Sequence, residues 1–338
     1  MNRRGLLLLP LLALPACGGG GPPTGPSSPP PTVPRSPVTV IVFYDEDGDG
    51  QASADEVVRL PGVEVVIGDA SAKTAGGGRV VVQAPLGAQT VTLRTESLPA
   101  FYQPQAPKPI TVPTTEEILM PVTLAIEGRP NIYMAFGDSL TVGEGSSDGE
   151  GYRARLDQQL SAYLGTSEVV NEGRGGTQTN EGASRVGRAL SRRRPAYTLV
   201  MYGINDWNTI ACQAQAPPPC QTIPEMRSII ESVKAYGSLP VLSTIVPANP
   251  ALDPPERNQW VQEENRLLQD LARAEGIPIA DPAKLFFAQG NNMPALYTDH
   301  VHPNDAGYEL IARAFFEAIT GPRSVTGASG SFFRTRRP

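Results

Sequence analysis

The feature that most constrains the fold of this 338-residue chain is a change of hydrophobic period near residue 130. Before it, apolar runs are short and alternating: Val38 to Tyr44, Val63 to Ile67, Arg79 to Gln83, Thr90 to Arg94 and Ile118 to Leu124, separated by Gly, Pro, Asp and Ser. A period of two between regular turn signals predicts strands, and their number and spacing predict a small antiparallel β-sandwich over residues 38–128. Beyond Pro130, apolar runs at Ile132 to Phe136, Val169-Val170, Tyr197 to Tyr202, Val241 to Val246 and Ile277 to Ala280 read as buried parallel strands. Helical stretches alternate with them: Tyr152 to Leu164, Glu181 to Arg192, Met226 to Tyr236, Asn258 to Glu275 and Asp305 to Ile319. Gly276 is placed to stop the fourth and Asn304 to cap the fifth. That alternation predicts a three-layer αβα domain with a parallel sheet over residues 129–320, with ligands at the carboxyl ends of its strands.

The N-terminal 37 residues belong to neither pattern. Arg3 and Arg4 precede an apolar run from Leu6 to Ala16, which fits an export leader over residues 1–17 and is too short to span a bilayer. Leu14-Pro15-Ala16-Cys17 resembles the lipobox of bacterial lipoproteins. The resemblance implies lipidation of Cys17 and a membrane anchor at the cell envelope or surface. Residues 18–37 hold eight prolines and five glycines, a composition that forms a semi-rigid tether rather than a core. Residues 321–338 read as a disordered tail. In an exported chain, Cys212 and Cys220, which bracket a proline-rich stretch, suggest a disulfide; without nearby histidines they make an incomplete zinc shell.

Between the first two expected strands lies Asp45-Glu46-Asp47-Gly48-Asp49-Gly50-Gln51, ending at Glu56. Carboxylates at the first, third, fifth and twelfth positions with glycine at the sixth match a calcium-loop spacing, with Asp45, Asp47, Asp49, Gln51 and Glu56 as ligands. Strands rather than helices flank the loop. It resembles the calcium-binding B-type repeats of bacterial surface proteins, which implies an immunoglobulin-like sandwich with a structural calcium.

Net charge of −6 argues against a nucleic-acid partner. The chain has two histidines, His300 and His302, so imidazole chemistry has almost no choice of location. Four segments fall at expected strand ends or before the last helix: Gly137-Asp138-Ser139-Leu140, Asn171 to Gly176, Gly203-Ile204-Asn205-Asp206 and Asp299-His300-Val301-His302. A serine hydroxyl needs an imidazole to take its proton, and the imidazole needs a carboxylate to fix its tautomer. Ser139 with His302 and Asp299 supply that set, and His300 is expected to point elsewhere. Arg185, Arg188 and Arg192 to Arg194 read as a solvated basic helix face.

Together the four segments resemble the SGNH or GDSL hydrolase superfamily. The resemblance implies a flavodoxin-like αβα fold and a serine esterase needing no cofactor for catalysis. Its oxyanion donors would be the backbone N–H of Ser139, the backbone N–H of Gly176 and the Asn205 amide. Its substrates would be acyl esters: acetylated polysaccharides, lipids or small esters. Trp207, Tyr202 and the loop between the two cysteines are candidates for the substrate pocket or for packing beneath it. An acyltransferase using the same residues and a non-catalytic surface-binding protein stay open as alternatives.

Overall fold

The computed structural model of the chain describes residues 33–213 and 220–322. The leader, Cys17, all but residues 33–37 of the expected tether, residues 214–219 and the tail beyond residue 322 lie outside the described residues.

Eight strands precede residue 124: β1 Arg35–Tyr44, β2 Glu64–Ile67, β3 Ala70–Lys73, β4 Arg79–Pro85, β5 Gly87–Leu93, β6 Gln103–Pro104, β7 Lys108–Val112 and β8 Ile118–Thr123. They form two four-stranded sheets, ordered β4-β1-β8-β6 and β3-β2-β5-β7. The inward sides meet over Val38, Val40, Val42, Val65, Ile67, Val82, Val91 and Met120, all buried. Alternation along β1 and β4 produces this directly, because successive side chains of a strand point to opposite faces. The sandwich departs from expectation in one pairing: β1 and β8 run parallel, Val40 opposite Ile118 through Tyr44 opposite Val122. A period of two reveals a strand but not its direction. Strands β3, β6 and β7 are short and carry too little apolar alternation to be recognised from the sequence.

From Arg129 the chain builds a third sheet, five-stranded and flanked by helices. Its strands are β9 Arg129–Gly137, β10 Glu168–Gly173, β11 Pro195–Met201, β12 Leu239–Ser243 and β13 Ile279–Ala280. The helices are α1 Ser139–Val142, α2 Tyr152–Leu164, α3 Thr179–Arg193, α4 Ile210–Gln213, α5 Thr222–Ala235, α6 Pro255–Glu275, α7 Pro282–Phe287 and α8 Asp305–Thr320. Every strand pair is parallel and the order is β10-β9-β11-β12-β13. The chain leaves β9 for one neighbour, β10, and returns on the other side as β11, so strand order reverses at β9 and opens a crevice there. Gly137 is in register with Gly173 on one side and Met201 on the other, so three strand ends deliver three loops to one place. On α8, Tyr308, Ile311, Phe315 and Ile319 are buried at helical spacing, and Asn304 caps the helix by accepting from the N–H groups of Ala306 and Gly307.

The two layers of architecture share a core. Tyr133 of β9 stacks on Tyr197 of β11 with ring centroids 4.9 Å apart, Phe101 packs edge-on against Tyr197 at 6.1 Å, and Tyr102 packs edge-on against Tyr44 at 5.6 Å. Asn131 donates its amide to Glu46 Oε1 at 2.8 Å, and Arg59 N donates to the Leu164 carbonyl at 3.1 Å. The sandwich is therefore packed against the base of the αβα domain rather than strung beside it.

Candidate active site

Ser139 follows the end of β9 directly. Asp138 caps α1 by accepting from Leu140 N at 3.0 Å, which leaves Ser139 as the first helical residue in the crevice. Burial drives the Asp138 carboxyl up to about 7 against the pull of the Leu140 bond. His302 comes from the loop before α8. Its Nε2 lies 2.9 Å from Ser139 Oγ and its Nδ1 lies 2.7 Å from Asp299 Oδ2. Asp299 Oδ1 accepts from the backbone N–H groups of Val301 at 2.9 Å and His302 at 2.8 Å. Burial works to raise Asp299, but the bonds from the His302 ring and these two N–H groups outweigh it and hold the carboxyl below its usual range. A carboxylate on Nδ1 fixes the tautomer with Nδ1–H, so the Nε2 lone pair faces the serine hydroxyl. The loop itself is pinned from the segment that follows β12: Asn249 N donates to the His300 carbonyl at 2.8 Å and Asn249 Nδ2 to the Asp299 carbonyl at 3.1 Å.

Two further loops close on the serine. Asn205, after β11, donates Nδ2 to the Thr177 carbonyl at 3.0 Å, which orients its amide and leaves its second N–H for another acceptor. The Gly176 turn has φ +72°, a conformation that favours glycine. Among the described residues, neither Ser139 N–H nor Gly176 N–H has a protein acceptor. Asp206 is buried and accepts from Thr179 N at 3.0 Å and Thr222 Oγ1 at 2.7 Å, tying the first turns of α3 and α5 to the Asn205 loop.

Arg185 corrects the reading of a solvated basic face. Its Nη2 donates to the carbonyls of Gly137 at 2.7 Å and Glu172 at 2.9 Å, and its guanidinium lies 4.2 Å from the Phe136 ring centroid. It ties the ends of β9 and β10 together beneath the serine. Arg192 and Arg193 both bond the buried Glu172 carboxylate at 2.5 Å. A helical wheel shows that charges share a face but not which carbonyls that face meets.

His300 turns away from Ser139 and its Nδ1 meets Asp253 Oδ2 at 3.2 Å. Tyr202 is buried against Arg185, and Trp207 packs on Trp260 at 5.7 Å. Cys212 and Cys220 are disulfide-bonded. Sequence reading missed Glu144: its Oε2 lies 3.3 Å from His302 Nε2. The signal was available in Gly143-Glu144-Gly145, a carboxylate between two glycines just past the serine turn.

In the acidic loop the structure brings Asp45, Asp47 and Asp49 together, with ligand oxygens within 4.8 Å of one another. Asp45 is buried, accepts from Gly48 N, Gly50 N and Gln105 Nε2, and has no cationic side chain within salt-bridge range among the described residues. Glu56 does not join the cluster. Its oxygens accept from Glu46 N at 2.6 Å and Ser53 N at 2.9 Å, closing the loop through backbone bonds. Gln51 is exposed, with its N–H donated to Asp49 Oδ1 at 2.7 Å.

The sequence pattern of the GDSL-like Lipase/Acylhydrolase family matches residues 135–310. The chain is 30% identical over 181 residues to thioesterase 1/protease 1/lysophospholipase L1 of Escherichia coli (strain K12), covering 53% of this chain and 78% of that protein. It is 25% identical over 190 residues to the uncharacterized lipoprotein YqeF of Bacillus subtilis (strain 168), covering 50% of this chain and 78% of that one. An acetylxylan esterase from Geobacillus stearothermophilus superposes with a TM-score of 0.48 at 22% identity, covering 63% of this chain and all of the other.

Proposed function

From the premise that the chain belongs to the GDSL-like lipase/acylhydrolase family, a family of ester-hydrolysing enzymes, we propose that it is a serine esterase acting on carboxylic esters through an acyl-Ser139 intermediate. The observation that carries this reading is the continuous path from Ser139 Oγ to His302 Nε2 at 2.9 Å and from Nδ1 to Asp299 at 2.7 Å. His302 takes the serine proton as Oγ attacks the carbonyl carbon, then gives it to the departing alkoxide; water repeats the sequence to release the acid. The N–H groups of Ser139 and Gly176 and the second N–H of Asn205 receive the oxyanion, and the bond to Thr177 holds that amide ready beforehand. Removing one such donor costs roughly 10²- to 10³-fold in kcat elsewhere.

The leader-like segment, the lipobox resemblance at Cys17 and the proline-rich tether support an exported enzyme held at a membrane by a lipid. Outside the cytoplasm, acetylated polysaccharides and environmental esters are the accessible substrates. In the sandwich, Asp45, Asp47 and Asp49 fit a structural calcium: three converging carboxylates, one buried without a cationic side chain, repel one another until a cation neutralises them.

The test is hydrolysis of a short-chain and a long-chain p-nitrophenyl ester by the purified protein and by Ser139→Ala. The expected outcome is turnover by the former and a loss of at least about 10³-fold in the variant. Undiminished activity in Ser139→Ala rejects the mechanism.

A further inference from the structure

The carboxylate of Glu144 has no place in the proton path described above, yet it lies at the end of it. Its Oε2 is 3.3 Å from His302 Nε2, the same nitrogen that faces Ser139 Oγ. The other oxygen reaches across the crevice toward the Gly175-Gly176 turn: a Cβ built on Gly175 would come within 2.6 Å of Glu144 Oε1 and 3.9 Å of Ser139 Cβ. Glycine at 175 is what leaves room for the carboxylate over the serine.

The backbone holds it there. Glu144 N donates to the Ser139 carbonyl at 3.1 Å, and Tyr308 Oη donates to the Glu144 carbonyl at 2.6 Å. Gly145, at φ +92°, lies so close to the histidine loop that a Cβ would meet the Pro303 carbonyl at 2.6 Å and His302 Cβ at 3.1 Å. The serine turn is thereby clamped onto the base loop with Glu144 at the seam. No lysine or arginine among the described residues lies within salt-bridge distance of Glu144, and its side chain is 46% exposed to the crevice.

We infer that Glu144 is a specificity-determining residue that sorts leaving alcohols by charge. It rejects those bearing an anion near the ester oxygen and favours those presenting a cation or hydroxyl donors there. The inference rests on the serine-esterase reading. His302 Nε2 must hand its proton to the leaving oxygen, so that oxygen comes within hydrogen-bond distance of Nε2 and its substituents come within a few ångströms of a carboxylate only 3.3 Å from the same atom. A like charge about 5 Å away in a half-exposed crevice, weakened by solvent and salt, is worth roughly a tenfold change in rate.

The experiment uses three aryl acetates of similar shape: 3-(trimethylammonio)phenyl acetate, the uncharged 3-tert-butylphenyl acetate and the anionic 3-acetoxybenzoate. Values of kcat/KM are measured for the unmutated protein and for the isosteric Glu144→Gln. Dividing variant by unmutated values for each ester cancels intrinsic leaving-group reactivity. Relative to the neutral ester, the variant is expected to gain roughly tenfold on the anion and lose roughly tenfold on the cation. Equal factors on all three esters overturn the inference and leave Glu144 a positioning group for His302, with the esterase reading intact. No turnover of any of the three by the unmutated protein removes both readings together.

Discussion

Two regions of this molecule gather carboxylates, and they differ in where the compensating charge comes from. In the crevice, Asp299 is answered from within the chain, by the His302 ring at 2.7 Å and two backbone N–H groups. In the acidic loop, Asp45, Asp47 and Asp49 are answered by N–H dipoles and the Gln105 amide, and negative charge is left over. One residue type thus forms a hydrogen-bonded relay where an imidazole is built in beside it, and keeps surplus negative charge where the fold supplies only N–H dipoles and an amide.

The largest expected effect breaks the first half of that comparison. Asp299→Asn keeps the shape but turns an obligate acceptor into a group that also donates, which lets His302 adopt the wrong tautomer. A fall in kcat of about 10³- to 10⁴-fold is expected, with the melting temperature in saturating calcium little changed. A fall of less than tenfold would mean that the carboxylate does not hold the ring. Next comes the loop. Calcium at about 100 times its dissociation constant stabilises a one-site protein by about 2.7 kcal/mol, a shift of several degrees in a domain of this size. Chelation is expected to lower the melting temperature by that amount, and Asp47→Asn combined with Asp49→Asn to abolish the response while kcat/KM stays within about twofold at 25 °C. Identical melting curves with and without calcium would remove the metal from the sandwich.

How much of this was legible in the chain follows the same division. The scarcity of imidazole left His302 and His300 as the choices, and the resemblance to the SGNH or GDSL pattern Asp-x-x-His pointed to the one the structure brings to Ser139. Strand and helix alternation gave all five strands of the αβα sheet, because buried parallel strands are continuous apolar runs. What stayed hidden depends on long-range approach. Glu144 reaches His302 from 158 positions away in sequence, through a turn that two glycines permit and Tyr308 fixes. Arg185 looked like surface because the carbonyls it ties, at Gly137 and Glu172, are supplied by strands that come together only in the fold. Glu56 matched a ligand position by spacing, yet spacing carries no information about the backbone N–H groups that claim its oxygens.

The smallest effect sharpens the comparison with a third kind of carboxylate, one answered by nothing. Glu264, on the buried face of α6, has its Oε2 without a partner. Burial pushes it up to about 7, and the charges of Asp206 and Glu263 push the same way. A folded-state value above the unfolded one means that the native protein binds the extra proton. The associated stability is fully present below about 4.5 and is lost as pH rises through about 7. Asp138, also raised to about 7, acts in the same window. Asp299 and Glu172 are lowered instead, so what they contribute is already complete above their ordinary values of 3.8 and 4.5 and adds no slope beyond pH 5. Stability is therefore expected to decline between pH 5 and pH 8, and Glu264→Gln to remove part of the decline. The variant gains about 1–2 kcal/mol relative to the unmutated protein at pH 8, after discounting for partial solvent access, and almost nothing at pH 5. Melting temperatures at the two pH values measure this. An equal shift at both would assign the effect to packing, and the residual slope left in the variant reports what Asp138, Asp206 and Glu46, whose carboxyls burial also raises, carry together.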